Sequence, residues 1–363
     1  MKLRFKLFLS FIVLNFSLYA QVNLPVLQEP EFNFPKLTAT GGAHTTQKAE
    51  FHTLFTNPAL FSNLQKKWNV ALLSFEKAVY KSDNERAINI NAIGPLGFGL
   101  TDKNFAFGIF NTTRLKGSAS KETVKFNLVF GEELFLTGGY GAEVFRDELN
   151  AVSLGIQMKG YFQGFTVVDN HPITASTATK FEPKDFLSDS DPIMFTGAIG
   201  FDVGFFYDHN DFFKLGFTVR DLYTATFSTL YANFADFKSS KPVDKSKYRS
   251  PIPEINIGIA ITPILPGSFT TFTNYTFWLD FNDMLSPIKN ERPIYYNLSS
   301  GMDFEFNDAY HLRLGFNELA PSFGIGVDAG YFELNYAFWL SQYSEKAWKK
   351  IRASFALDLS IKI

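Results

Sequence analysis

The side chains best able to do chemistry are scattered through the sequence rather than grouped. The five histidines, which lack the spacing of a metal site, are His44, His52, His171, His209 and His311. The stretch Asp189-Ser190-Asp191 resembles the start of a calcium-binding loop, but Pro192 interrupts the ligand pattern and the completing glutamate is missing. There is no Gly-x-Ser-x-Gly motif, no phosphate-binding glycine loop and no cysteine. We therefore expect no enzyme activity, no metal and no cofactor.

A second set of reactive side chains recurs at alternate positions of otherwise apolar segments. These are Asp303, Glu305, Arg313, Arg352 and Asp358. In the last segment, Ile351 to Ile363, every odd position is apolar and most even positions are polar. A period of two indicates a strand with two different faces. On the interior face of a barrel, these charges could bind a carboxylate, set the polarity of a pore or pair with one another.

The same alternation recurs in seven segments beyond residue 68, so each strand has an apolar face that must be buried. Either a sandwich with an apolar core or an outer-membrane barrel with its apolar face toward lipid satisfies this requirement. Several segments reach ten to fourteen residues. Sandwich strands run to roughly five or six residues, whereas membrane strands need about 9–11. The sequence therefore favours an all-β fold, a transmembrane antiparallel β-barrel.

The connections between these segments alternate in length. The links at residues 146–148, 208–210, 307–308 and around 330 are tight, and those at 166–192, 222–250, 283–292 and 341–350 are long. The link at 317–321 is of medium length, and the one exception is 263–271, which is intermediate where a tight link is expected. Membrane barrels have short periplasmic turns, longer external loops and an even number of strands. If residues 123–145 form one long strand, the barrel has about 14 strands.

Composition and the N-terminus indicate where the protein works. The 363 residues contain 34 Lys plus Arg and 36 Asp plus Glu, a balance that argues against binding nucleic acid. Residues 1–20 combine three basic residues, a short apolar run and a small final residue, which is typical of a secretory signal peptide. A membrane anchor is the alternative, but the run is shorter than the ~20 apolar residues a span needs. We expect export to an outer membrane.

The segment before the first strand carries a family resemblance. It contains Gly41-Gly42-Ala43 and then Leu54-Phe55-Thr56-Asn57-Pro58-Ala59, and residues 311–317, 324–327 and 332–337 form a matching C-terminal part. In this order the motifs resemble the FadL family of outer-membrane transporters of hydrophobic compounds, including long-chain fatty acids, in its divergent and uncharacterised branch. The chain departs from the family at Leu60, where a glycine is usual, and at Ile363, where a phenylalanine is usual.

The resemblance implies a division into a signal peptide (1–20), a periplasmic linker with an N-terminal hatch inside the lumen (21–67), and the barrel (68–363). The implied hatch and substrate-binding residues are Gly41, Gly42, Phe55, Asn57, Pro58 and Ala59. The implied activity is passive uptake of hydrophobic small molecules such as long-chain fatty acids, with release sideways past the hatch. The expected partners are outer-membrane lipid and this ligand, with no nucleic acid, and we expect a monomer.

Lateral release requires an opening in the wall, and Gly94, Pro95 and Gly97 are the candidates. Proline cannot donate to a strand ladder, and glycines inside a strand mark bulges. A plain strand–turn–strand is the alternative interpretation of this stretch. Two other functions also stay open: a diffusion porin for small polar solutes, and a structural or secretion-accessory barrel whose long loops bind protein.

Overall fold

The computed structural model describes part of the chain, from residue 33 onward. The described residues are 33–48, 50–62, 64–81, 85–120, 125–172, 192–244, 252–263, 272–285, 293–342 and 351–363. The predicted signal peptide, the first part of the predicted linker and the stretch 189–191 lie outside them. Within the described residues, no helix combines the length and apolar character that crossing a membrane requires.

Antiparallel strands form a closed barrel in which every strand pairs with its neighbours in the chain and the last pairs with the first. The fourteen strands of the described residues are β1 (Leu64–Lys81), β2 (Glu85–Lys103), β3 (Phe105–Ser120), β4 (Lys125–Arg146), β5 (Asn150–Pro172), β6 (Ile193–His209), β7 (Phe213–Tyr231), β8 (Glu254–Ile261), β9 (Phe272–Phe281), β10 (Leu298–Phe306), β11 (Tyr310–Asn317), β12 (Ala320–Asp328), β13 (Phe332–Gln342) and β14 (Ile351–Lys362). The predicted antiparallel barrel of about 14 strands is confirmed.

The strands turn their apolar face outward and their polar face inward, which is the reverse of a barrel with an apolar core. Large apolar side chains such as Ile156 and Met158 are about half exposed on the outside, at 53% and 57%. Charged side chains such as Lys159, Arg313 and Asp358 are at most 1% exposed on the inside. In β14 the even positions from 354 to 362 are buried and the odd positions from 353 to 361 are not. The apolar face therefore points outward, as the alternation predicts for a membrane barrel.

Several boundaries differ from the sequence-based expectation. Strand β1 begins at Leu64 rather than at residue 68, because residues 64–67 already pair with β2 despite their polar composition. Strands β5 and β7 continue to Pro172 and Tyr231, into segments that the sequence indicates as loops. Residues 294–297, expected as strand, form a 3₁₀ helix whose last side chain donates to two backbone carbonyls.

Strand lengths divide the barrel into two unequal halves. Strands β1 to β7 contain 16 to 23 residues, whereas β8 to β14 contain 8 to 12. A membrane strand needs only about 9–11 residues. The second half is therefore about as tall as a bilayer, and the first half continues beyond that height.

The N-terminal segment, residues 33–62, lies inside the barrel and is called the hatch segment below. It contains a short α-helix (Pro35–Ala39) and two 3₁₀ helices (Glu50–Phe55 and Pro58–Phe61). Most of its side chains are buried against the inner face of the wall. The expected hatch inside the lumen is consistent with this arrangement.

Candidate functional site

Three of the polar side chains that attach the hatch segment to the wall make two or three hydrogen bonds each. The Asp280 carboxylate on β9 accepts backbone hydrogen bonds from His44 (2.8 Å) and Thr45 (2.7 Å). On β12, the Ser322 hydroxyl donates to the carbonyl of Ala39 (3.0 Å) and accepts from the backbone N–H of Gly41 (3.2 Å). The third side chain belongs to the hatch itself.

That third side chain is Asn57, one of the residues implied by the family resemblance. Its Nδ2 donates to the carbonyls of Thr45 within the hatch (2.9 Å) and of Phe205 on β6 (3.0 Å). Its Oδ1 accepts from the backbone N–H of Ala59 at 3.0 Å, which caps the helix that begins at Pro58. Asn57 is 0% exposed. All three bonds position the hatch, and a side chain without an amide cannot make all of them.

Gly41 and Gly42 are required by backbone geometry. Their φ angles are +70° and +73°, in the left-handed region that glycine adopts readily. A Cβ on Gly41 would also overlap backbone atoms of Ser300 and Phe316 on β10 and β11. The Gly-Gly pair therefore makes a tight turn in direct contact with the wall.

A belt of inward-facing glycines in the wall lies directly against the hatch segment. Our sequence analysis did not identify these glycines. A Cβ on any of them would come within 3.0 Å of a hatch atom; they are Gly99, Gly108, Gly139, Gly141, Gly155, Gly204, Gly216, Gly258, Gly301, Gly315 and Gly324. This glycine belt involves ten of the fourteen strands. Glycine inside a strand often marks close approach of another backbone, so its repeated presence on the polar face was the available signal.

One side of the lumen is aromatic. Phe55 of the hatch segment packs between Phe110 on β3 and Phe135 on β4, with ring centroids 4.9 Å and 5.5 Å away. Phe34 and Phe51 complete this aromatic cluster, and Phe34 lies 4.8 Å from Phe55. The described inner face thus offers a site where a hydrophobic molecule could replace ring–ring contacts without exposing apolar surface to water.

The side of the hatch toward β14 is polar and poorly satisfied. His52 Nε2 lies 3.5 Å from Asp358 Oδ2, and both side chains are 0% exposed. In the described part of the chain, neither residue has a hydrogen-bond partner of normal geometry, and the same holds for the side chains of Asn69, Ser354 and Ser360. These five residues are called the polar seam below. Buried polar groups without partners cost free energy, so the hatch packs less favourably here than against the aromatic cluster.

The predicted lumen charges are partly paired with each other. Arg313 Nε donates to Asp303 at 3.0 Å, and Arg313 also donates to Asn335 on β13 at 2.8 Å. Arg352 donates to Ser341 at 3.0 Å, and Glu305 lies opposite His311 in the ladder. Asp358 faces the hatch, as described above. The lumen charges therefore take part in separate contacts rather than in one shared site.

Gly94, Pro95 and Gly97 lie within the single strand β2 and not at a turn. The ladder from β2 to β3 skips from Ile93 to Gly97, so three residues of β2 face one residue of β3. The ladder from β2 to β1 is also interrupted, between residues 70 and 74 of β1. Residues 94–96 therefore form an irregularity on both edges of β2, called the wall break below.

A polar pocket of about 250 Å³ lies at the end of the barrel that carries the tight turns, lined by Lys48, Asp147 and Asp211 among others. Backbone and side-chain hydrogen bonds from Leu149 and Asn150 lower the pKa of Asp147 below its usual 3.8. Desolvation, together with Lys214, lowers the pKa of Lys48. The carboxylate of Asp147 thus stabilises the turn between β4 and β5.

Comparison with known proteins finds no matching protein-family model and no matching curated protein. The chain is similar to the solved structure of a TodX deltaS2S3 mutant, a monoaromatic hydrocarbon channel, with a TM-score of 0.52 and 12% identity over 90% of this chain and 98% of that one. The Pseudomonas putida toluene transporter TodX aligns with 10% identity over 90% and 96% of the chains (TM-score 0.48). A Pseudomonas aeruginosa FadL homologue aligns with 11% identity over 89% and 95% (TM-score 0.42). The resemblance that the sequence motifs indicate therefore extends to the barrel fold.

Proposed function

We propose that the protein is an outer-membrane channel for passive uptake of hydrophobic small molecules. The observation that carries this proposal is the position of the aromatic cluster, which lines one side of the lumen next to the wall break. Gly97, at the edge of the break, pairs with Phe110 of the cluster. A hydrophobic molecule bound at the aromatic cluster would thus lie next to the irregular part of the wall.

Release through the wall is physically preferable to release through the periplasmic end of the lumen. Removing hydrocarbon from water is worth roughly 0.8 kcal/mol per CH₂ group, so a long-chain fatty acid would lose several kcal/mol by re-entering water. Passage at the wall break would deliver the molecule directly to lipid. The TodX deltaS2S3 mutant, whose fold is similar to that of this chain, is a channel for monoaromatic hydrocarbons. The similarity of fold supports a hydrophobic ligand by analogy.

The proposal includes the finer expectations from the sequence. We propose export through residues 1–20, action as a monomer and no chemical transformation of the ligand. Gly41, Gly42, Phe55, Asn57, Pro58 and Ala59 hold or form the hatch. The contacts of the lumen charges support roles in the wall and its polarity rather than in catalysis.

Purified protein in proteoliposomes tests this function. We expect uptake of radiolabelled oleate or toluene above the rate of protein-free liposomes, together with low conductance for ions and sugars. Deleting residues 33–62 should raise that conductance sharply, because the hatch segment fills the lumen. High conductance of the intact protein, unchanged by the deletion, would instead identify a diffusion porin. Absence of uptake together with a stoichiometric protein partner in mild detergent would identify an accessory barrel.

A further inference from the structure

The outward face of the barrel carries a concave apolar surface where β3, β4, β5 and β6 meet. This outer groove has a volume of about 640 Å³, within the range of small-molecule sites. Gly138 and Gly160 form its floor, and its walls include Phe107, Leu136 and Met158. Gly160 leaves real space, because a Cβ there would meet only the carbonyl of Ala198, at 3.7 Å. The groove is therefore a depression made by glycines among large side chains.

The outer groove lies close to the wall break. Phe110, which pairs with the edge of the break at Gly97, points into the lumen. Phe107 lies three residues further along β3 toward the tight turn, a distance of about 10 Å at the usual rise of a strand. Its side chain points outward into the groove. One short stretch of β3 thus connects the aromatic cluster inside the barrel with the groove outside it.

The chemistry of the groove selects hydrocarbon. The only charged residue among the described residues that line it is Lys159, whose ammonium points inward and pairs with Asp202 and Asp221 at 3.0 Å each. At the end toward the tight turns, the Tyr140 hydroxyl accepts a hydrogen bond from Asn104 at 3.3 Å. A headgroup with a charge finds no partner in the groove itself, whereas an aliphatic or aromatic hydrocarbon contacts apolar side chains on several sides.

We propose that the outer groove is a binding site for the hydrocarbon part of the transported molecule, occupied after passage through the wall break and before diffusion into the bilayer. This inference rests on the proposed function and adds a site on the lipid-facing surface. The short distance along β3 between the groove and the wall break is the reason to assign the groove to the transported molecule rather than to a phospholipid acyl chain.

The test uses the full-length protein in lipid nanodiscs and two photoactivatable probes, a straight-chain hydrocarbon with a diazirine group and a phospholipid with the same group in one acyl chain. We expect the hydrocarbon to label residues 136–140 and 156–162 several-fold more than residues 322–327 on the opposite face, and the phospholipid to label both faces alike. Gly160→Phe should remove the excess by filling the groove. Val327→Phe adds a ring to the lipid-facing side of β12 and should leave the excess unchanged.

Equal labelling of both faces by the hydrocarbon would overturn the site, and the same excess with the phospholipid probe would assign it to lipid. Gly160→Leu provides a second, smaller filling variant should the phenylalanine prevent folding. Uptake separates this inference from the proposed function. If wild-type protein takes up hydrocarbon but the hydrocarbon probe labels both faces equally, only the groove is refuted. If wild-type protein shows no uptake, the proposed function fails whatever the labelling shows.

Discussion

Replacing Asn57 should release the hatch segment while the barrel stays folded. Its side chain makes three hydrogen bonds, two inside the hatch and one to the Phe205 carbonyl of the wall. A typical hydrogen bond contributes about 1 kcal/mol, and a buried group left without a partner costs about 1–3 kcal/mol. Asn57→Ala should therefore weaken hatch docking by about 3 kcal/mol, which corresponds to an equilibrium change of more than about a hundredfold.

Comparing Asn57→Asp with Asn57→Ala tests this prediction further. Asn57→Asp keeps the acceptor for Ala59 but removes both donors and places a carboxylate against two carbonyl oxygens. Burying a charge without a partner costs more than burying a neutral polar group, so aspartate should be more disruptive than alanine despite its closer shape. Asn104→Ala is the matched control, because the side chain of that asparagine donates an exposed hydrogen bond to Tyr140 near a tight turn.

Hydrogen exchange of the folded protein in detergent measures the effect. We expect faster exchange in residues 34–61 for both Asn57 variants, unchanged exchange in the strands, and reduced oleate uptake in proteoliposomes. Equal exchange of the hatch in Asn57→Ala and wild type would refute the role assigned to these bonds. A uniform increase over hatch and strands would show instead that Asn57 stabilises the whole barrel.

Two pairs of variants test the wall through the folding free energy in detergent or lipid, and one further variant tests a turn through amide exchange. Leu357→Arg should cost roughly 2–4 kcal/mol of folding free energy if this outward position lies near the bilayer midplane. Asp358→Asn should have only a small effect on the folding free energy. The reverse order of the two effects would show that the apolar face points into the barrel. Gly155→Val should cost about 1–3 kcal/mol by overpacking against the hatch, while Gly164→Val on the same strand, with open space around it, should be close to neutral. Asp147, whose folded pKa is lowered, stabilises its turn above the unfolded value of 3.8 and loses this effect as the pH falls through the folded value. The protection factors of the turn amides, which correct for the intrinsic pH dependence of exchange, should therefore fall at acidic pH in wild type and be low at all pH values in Asp147→Ala.

The sequence was sufficient for the barrel because the alternation of apolar and polar residues is a local property. Strand β14 shows this directly, since the side chains of residues 353–362 lie on the faces that the sequence pattern predicts. The lengths of β5 and β7 were underestimated for a local reason too. Polar residues such as Thr224 and Thr226 continue the inner face of β7, but in isolation they are typical of a loop.

The contacts between hatch and wall were less accessible from the sequence. Asn57 and the Gly41-Gly42 turn were identified through the family resemblance, but their partners lie far away in the chain, as with Phe205 and Ser322. No local pattern specifies which strands these partners occupy. The glycine belt was the exception, because its members stand at inward positions where side chains would otherwise fill the lumen.

The two sides of the hatch segment suggest the direction in which it moves. Toward β3 and β4 it is held by close aromatic packing at Phe55, whereas toward β14 the polar seam leaves His52 and Asp358 buried without normal hydrogen bonds. Water entering the seam would satisfy these groups, whereas the contacts of Phe55 join apolar rings that gain nothing from water. Separation should therefore begin at the seam. A ligand that replaces the ring contacts of Phe55 would then remove the main attachment on the other side, so hydration and ligand binding would act together to free the hatch.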